Sequence, residues 1–122
     1  MQPTRAERVA QMMQKELGTM IQRELKDPRI GFASVTRVEV SRDLSAAKVF
    51  IIVLGSAENA EDTMAGLEHA KGFLRGEVGR RLQLRHAPEI NFRRDESIDR
   101  SMALQRLMRQ LKEDRKDSDD PS

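Results

Sequence analysis

Apolar side chains at Val9, Met13, Leu17, Met20 and Ile21 recur at the spacing of one helix face. They predict an amphipathic helix from about Arg5 to Lys26. Thr4 and Glu7 have the spacing of a capping box, in which a hydroxyl and a carboxylate satisfy N–H groups left open in the first turn. Lys26-Asp27-Pro28 ends the helix, because the residue before a proline avoids the α region. The period then changes. Val35 to Val40 is rich in β-branched residues, and Lys48 to Leu54 is an almost unbroken apolar run. Both read as strands, the second as a central strand with both faces buried. The short connection Ser41-Arg42-Asp43-Leu44-Ser45 predicts an antiparallel hairpin.

A second helical stretch runs from about Asn59 to Leu84, with Met64, Leu67, Leu74, Val78 and Leu82 in phase. Lys71 occupies a position that belongs to this stripe. Gly66, Gly72, Gly76 and Gly79 each cost about 1 kcal/mol against alanine in a helix interior. One straight helix is therefore replaced by two, with a kink at Ala70-Lys71-Gly72. Pro88 and Glu89 introduce a short strand, Ile90 to Arg94, in which Ile90 and Phe92 alternate with Asn91 and Arg93. Ser97 can cap a last helix carrying Ile98, Met102, Leu104, Leu107, Met108 and Leu111. The order is α-β-β-α-α-β with an additional C-terminal helix, a two-layer α+β domain over 1–112. Residues 113–122 are polar and acidic and predict a disordered tail.

Composition narrows the chemistry. A chain of 122 residues suits one domain. The absence of Cys excludes a disulfide scaffold, thiolate zinc sites and cysteine nucleophiles. It fits a reducing compartment, and a cytoplasmic protein is expected. The charged start MQPTRAERVAQ is no secretory signal, and the longest apolar run, Val49 to Leu54, is too short to span a membrane. His69 and His86 have no third ligand at recognisable spacing, so no metal or cofactor is expected. Glu61-Asp62 and Asp95-Glu96 are adjacent pairs whose side chains diverge, unlike an acid/base dyad. With no nucleophile or nucleotide-binding signature either, the protein reads as non-enzymatic.

The net charge of +2 hides strong segments. Residues 58–69 carry four acids and no base, whereas residues 71–94 carry seven bases against two acids. Lys71, Arg75, Arg80, Arg81 and Arg85 form a basic run after the kink, with 71, 75 and 81 near one another on a helical projection. Such cations can hold RNA phosphates, or simply form a solvated helix face. Lys26, Arg29 and Arg42 lie in loops, with Arg5 and Arg8 on the first helix; Asp27 and Asp43 could neutralise their neighbours. Gly76-Glu77-Val78-Gly79 has the letters of a backbone-clamping loop, but Glu77 would repel phosphate and Val78 belongs to the apolar stripe. Helix packing explains those glycines better. The chain has four Phe, no Tyr and no Trp. Phe50 and Phe92 are expected in the core, and so is Phe73, which leaves little means to stack a series of bases.

Several linked segments together resemble the bacterial ribosome-binding factor A family. They are Arg8-Val9, Lys26-Asp27-Pro28-Arg29, Ser41-Arg42-Asp43-Leu44, Ala47-Lys48-Val49, Ala70-Lys71-Gly72, Leu84-Arg85 and Pro88-Glu89, followed by Phe92, Asp95 and Ser97. The resemblance covers Arg5 to about Leu111. It implies a type-II KH-like fold in which an Ala-x-Gly kink, here Ala70, Lys71 and Gly72, replaces the Gly-x-x-Gly loop. It also implies binding to the small ribosomal subunit and its rRNA, a role in late maturation including 5′-end processing, and an association with growth in the cold. With it, the basic run is expected to face RNA, with helix one and the hairpin on the opposite side of a monomeric domain. A different reading is a protein-interaction module docking a partner through its C-terminal helix, which would leave Met102, Leu107 and Leu111 as an open stripe.

Overall fold

The apolar stripe of the first helix decides where the core lies. In the computed structural model, which describes residues 2–95 and 105–113, Val9, Met13, Leu17, Met20 and Ile21 are all at most 4% exposed. The α-helix α1 spans Arg5–Thr19, and the Thr4 hydroxyl accepts from the Glu7 N–H at 3.1 Å. The helix does not continue unchanged to Lys26. Met20–Glu24 is a π-helical turn, closed by the Leu25 N–H donating to the Met20 carbonyl at 3.0 Å. The wider turn buries Met20 and Ile21 side by side. Leu25 is already extended, so the chain leaves the helix just before Lys26.

Strands β1 (Ala33–Val40) and β2 (Ala46–Val53) form the expected antiparallel hairpin. Strand β3 (Glu89–Arg94) lies parallel to β2 on its other side, giving the sheet order β1-β2-β3. Ala47, Val49 and Ile51 of the central strand are buried, as is Ile90 of β3. The opposite face is not fully covered. Lys48 is exposed there, and the Arg37 guanidinium lies 4.3 Å from the centre of the half-buried Phe50 ring. β1 contains an irregularity that its composition does not announce. Register shifts between Val35 and Arg37, so Thr36 is an extra residue. The bulge lets Ala33 and Val35 share the inward face with Val38 and Val40. The Thr36 hydroxyl bridges to the Phe50 carbonyl at 3.3 Å and the Asp95 carboxylate at 2.7 Å.

The expected kink is present. α2 (Ala57–His69) and α3 (Lys71–Arg81) are separated by Ala70 alone, at φ −84° and ψ −2°. Leu67, Leu74 and Val78 of these helices complete the core. A long-range latch within the chain holds α2 in place: the buried Thr63 hydroxyl accepts from the Gly31 N–H at 3.1 Å and donates to the Arg29 carbonyl at 3.4 Å. Gly66 allows that approach, since a Cβ there would lie 2.7 Å from Ile30 Cγ1. Residues 105–113 are helical, with Leu107 buried. Glu113, expected in the tail, belongs to this helix. Ser97, Ile98, Met102, Leu104 and the tail from 114 onward lie outside the described residues. The element order and the three-stranded sheet match the α+β, KH-like architecture expected.

Two devices fix the end of α3. Gln83 has a left-handed φ of 54°. The Leu84 N–H donates to the Gly79 carbonyl at 2.9 Å and the Gln83 N–H to that of Arg80 at 3.3 Å. This is a Schellman stop with glutamine where glycine is usual. The second device is Arg81. Its guanidinium grips Glu24 at 2.6 and 3.0 Å and reaches Glu16 at 3.3 Å, tying α3 to the first helix. Gln83→Gly should therefore raise stability by about 1 kcal/mol, read as a higher melting temperature. Arg81→Ala should lower the melting temperature, whereas Arg85→Ala should leave it unchanged. Arg81 holds the Glu24 carboxyl below its ordinary value of 4.5, by hydrogen bonding first and charge second. The stability it contributes should thus be complete above that pH and fade as acid titrates Glu24, a loss absent from Arg81→Ala.

Candidate nucleic-acid interface

The return from α3 to β3 builds the site. After the Gln83 stop, residues 84–87 fold back over the helix they have just left. Ala87 Cβ would sit 3.4 Å from a Cβ at Gly79, so that glycine serves packing. The Arg75 guanidinium donates to the Ala87 carbonyl from Nε at 3.1 Å and Nη2 at 3.0 Å. It locks the loop from the helix side and stays exposed. Gly72, Gly76 and Gly79 then form the floor of an open groove whose walls include Arg75, Arg80, Arg85 and His86. Gly76 is not explained by packing as the sequence suggested: nothing lies within 4 Å of a Cβ placed there.

The groove continues toward the hairpin. Arg5, Asp43, Leu44 and Ser45 share a cavity with Arg75, Arg85 and His86. The Glu89 N–H donates to the Ser45 carbonyl at 2.9 Å, which ties the hairpin to the start of β3. Within the hairpin, Asp43 accepts from the Ser45 hydroxyl at 2.7 Å, the Ser41 hydroxyl at 2.8 Å and the Ser45 N–H at 3.1 Å. These bonds hold its carboxyl down at about 2. Its charge is committed to the turn, and Leu44 takes a φ of 62° to close it. Arg42 is exposed at this tip and makes no hydrogen bond or ion pair among the described residues. The side chains of Arg5, Arg8 and Arg85 are likewise exposed and make no hydrogen bond or ion pair among the described residues. The helix macrodipole disfavours cations at the start of α1, so Arg5 and Arg8 gain nothing from their own helix.

The structure thus divides the sequence candidates. Arg75, Arg80 and Arg85 line one cavity, and Arg5 lines the adjoining one with Arg75 and Arg85; Arg42 is the chain neighbour of Asp43, which lines the second. Arg80 pairs with Glu77 at 2.5 Å, yet its side chain is 71% exposed. Arg81 does not share a face with Lys71 and Arg75; it turns inward to Glu16, Glu24 and Glu77. Lys71, at the kink, pairs with Glu68 at 2.7 Å. Arg29 is held by Asp27 at 2.7 Å, which keeps that carboxyl at about 2 through the Arg29 side chain and its backbone N–H. Lys26 and Arg29 precede β1, a strand length of about 25 Å from the hairpin. The expectation that helix one and the hairpin lie opposite the basic run is corrected, because the start of α1 and the hairpin line the same groove. Sequence reasoning did not find His86 or the loop that presents Arg85. The signal available was a helix ending at Leu82 with Pro88 soon after.

Phe73 departs from expectation as well. It is 52% exposed rather than in the core, whereas Phe92 is half-buried against the core as expected. Among the described residues no group of three or more His, Cys, Asp or Glu could hold a metal ion, and no helix is long and apolar enough to cross a membrane.

The fold finds counterparts among known proteins. The sequence matches the family model for ribosome-binding factor A over residues 5–108. A putative ribosome binding factor A of Thermotoga maritima, solved by NMR, is 36% identical with a TM-score of 0.68, covering 81% of this chain and 95% of that one. The crystal structure of ribosome-binding factor A from Thermus thermophilus is 23% identical and shares the fold, with a TM-score of 0.67 over 77% of this chain and 99% of that one. A homology model of the Thermus thermophilus protein, fitted into a cryo-EM map of its complex with 30S, is 25% identical, with a TM-score of 0.64 over 78% and 99% of the two chains. With the family match spanning most of its length, this chain belongs to the ribosome-binding factor A family.

Proposed function

We propose that this protein binds the small ribosomal subunit through its rRNA and acts as a non-enzymatic assembly factor. Its role is to aid late maturation, including 5′-end processing of the small-subunit rRNA. The observation that carries this reading is the clustering of arginines in two adjoining cavities: Arg75 and Arg85 line both, Arg80 lines one and Arg5 the other, while Arg42 lies next in the chain to Asp43. Family membership supports it, as does the Thermus thermophilus relative's placement in a complex with 30S. Guanidinium groups hold phosphates without reading sequence, so recognition rests on the path of the RNA backbone. The groove, Arg8 on the next turn of α1 and the kink at Ala70, Lys71 and Gly72 form the contact surface. Lys26 supplies a second contact at the far end of the sheet.

The mechanism is a shift of population. A factor that binds one rRNA conformation more tightly favours it by its difference in affinity for the two forms. Driving a conformer from about 1% to about 99% requires a preference of about ten-thousand-fold. Cutting the RNA so presented falls to a nuclease. The reading of a partner docked on the C-terminal helix is weaker, because Leu107 is buried and Gln110 accepts from Gln22 at 3.5 Å. Only Met108 and Leu111 of that stripe are exposed among the described residues.

Co-sedimentation should place the protein with free small subunits and not with assembled ribosomes; absence from both would refute the proposal. If about five phosphates are held, the log–log slope of affinity against salt should be about −4 to −5, and a flat slope would remove the electrostatic footprint. Arg85→Ala should weaken binding and reduce that slope by about 1 without lowering the melting temperature. Arg5→Glu with Arg85→Glu should abolish co-sedimentation while circular dichroism stays native.

A further inference from the structure

Phe73 stands alone. Among the described residues, the other large exposed apolar side chains are Met12, Phe32, Met108 and Leu111, none of them on α2 or α3. Its surroundings are glycine and charge. At about 100° per residue, Gly72, Gly76 and Gly79 fall within about 60° of one another on α3. Arg75 borders this bare face on one side. Arg80 and Phe73 border it on the other, within about 20° of each other. Nothing in the protein lies within 4 Å of a Cβ built on Gly72 or Gly76. Each of these glycines weakens the helix by about 1 kcal/mol, and no internal contact requires either. A lone ring beside arginines does not suit an apolar partner surface, which needs a contiguous patch. It does suit a nucleobase, whose flat face stacks on an aromatic ring while the attached phosphates meet cations.

We propose that α3 takes a single strand of RNA. Its sugar–phosphate backbone lies on the bare Gly72 and Gly76 face between Arg75 and Arg80, and one unstacked base rests on Phe73. This rests on the reading of the protein as an rRNA binder and assigns what the groove holds. Arg75 donates two N–H groups to the Ala87 carbonyl, which fixes its plane and leaves the others for a phosphate. Arg80, mostly exposed despite Glu77, supplies the opposite wall. The missing Cβ atoms let the backbone approach the helix closely. Phe73 is therefore a binding residue that adds one base contact to a largely sequence-independent grip.

The chain has no Trp and no Tyr, so Phe73→Trp installs a single indole at the point of contact. Its emission should be quenched by free small subunits and by protein-free small-subunit rRNA. Phe73→Leu should keep the wild-type melting temperature and lose about 5- to 100-fold in affinity for small subunits. Gly76→Ala should raise the melting temperature and still bind more weakly, a divergence that a merely structural glycine would not produce. Wild-type affinity in both variants, or an unquenched indole in a Phe73→Trp protein that still co-sediments, would overturn the inference alone. Quenching by intact subunits but not by their RNA would assign the ring to a ribosomal protein and overturn it as well. Failure of the wild-type protein to bind subunits would overturn the broader reading together with this one.

Discussion

The parallel pairing of β3 with β2 is the constraint on which the rest of the molecule depends. Antiparallel strands can be joined by a tight hairpin, as β1 and β2 are, but a parallel neighbour requires the chain to travel back the length of the sheet. Here α2 and α3 make that journey with one residue between them. The chain must then leave α3 and enter β3 at the same end as the hairpin, where Ala46 lies beside Glu89. This requirement brings the 84–87 loop, the hairpin tip and the first turn of α1 together. The basic groove is a product of the topology, and Arg5 and Arg85 meet although eighty positions separate them in the chain.

Within that frame, carboxylates sort the cations. Glu16, Glu24 and Glu77 surround Arg81, Asp27 binds Arg29 and Glu68 binds Lys71. Those pairs hold elements to one another or close a turn. Asp43, which sits in the groove, directs its charge into its own turn through Ser41 and Ser45 and leaves Arg42 outward. A net charge of +2 is thus compatible with a locally basic surface, because several acids pair with Arg29, Lys71 and Arg81, and in the groove Glu77 pairs with Arg80, which stays mostly exposed. Counting charge along the chain finds the basic segment but not which of its members are paired.

What was legible in the sequence follows from how local each signal is. The stripe of α1, the hairpin at Ser41–Ser45 and the break at Ala70 each depend on residues within a few positions, and each is present. The resemblance to ribosome-binding factor A rests on such local segments and holds. The features that could not be read are relations between distant segments or departures within a regular element. The π-helical turn at Met20–Glu24 answers the need to bury two adjacent side chains. The bulge at Thr36 is set by the partner strand and by Asp95. The inward turn of Arg81 needs Glu24, which only the fold brings near. Phe73 reads as core because apolar residues usually are, and a helix whose buried side is filled by Leu74 and Val78 has no room for it.

The composition of α3 draws these threads together. Three of its eleven residues are glycine, a cost of about 3 kcal/mol in helix propensity that an isolated peptide could not sustain. Its order comes instead from one side and one end. Leu74 and Val78 anchor it to the core, Arg81 ties it to the first helix and the Gln83 stop closes its last turn. Gly79 makes room for the returning loop at Ala87, and a helix held in this way needs no side chain at Gly72 or Gly76. The same arrangement explains why the cations are split. Arg81 must point inward to supply the order, and Arg75 and Arg80 are left to border the bare surface. The glycines and the ion-pair cluster are therefore two halves of one solution, in which a helix weakened on its exposed side is held rigid from behind.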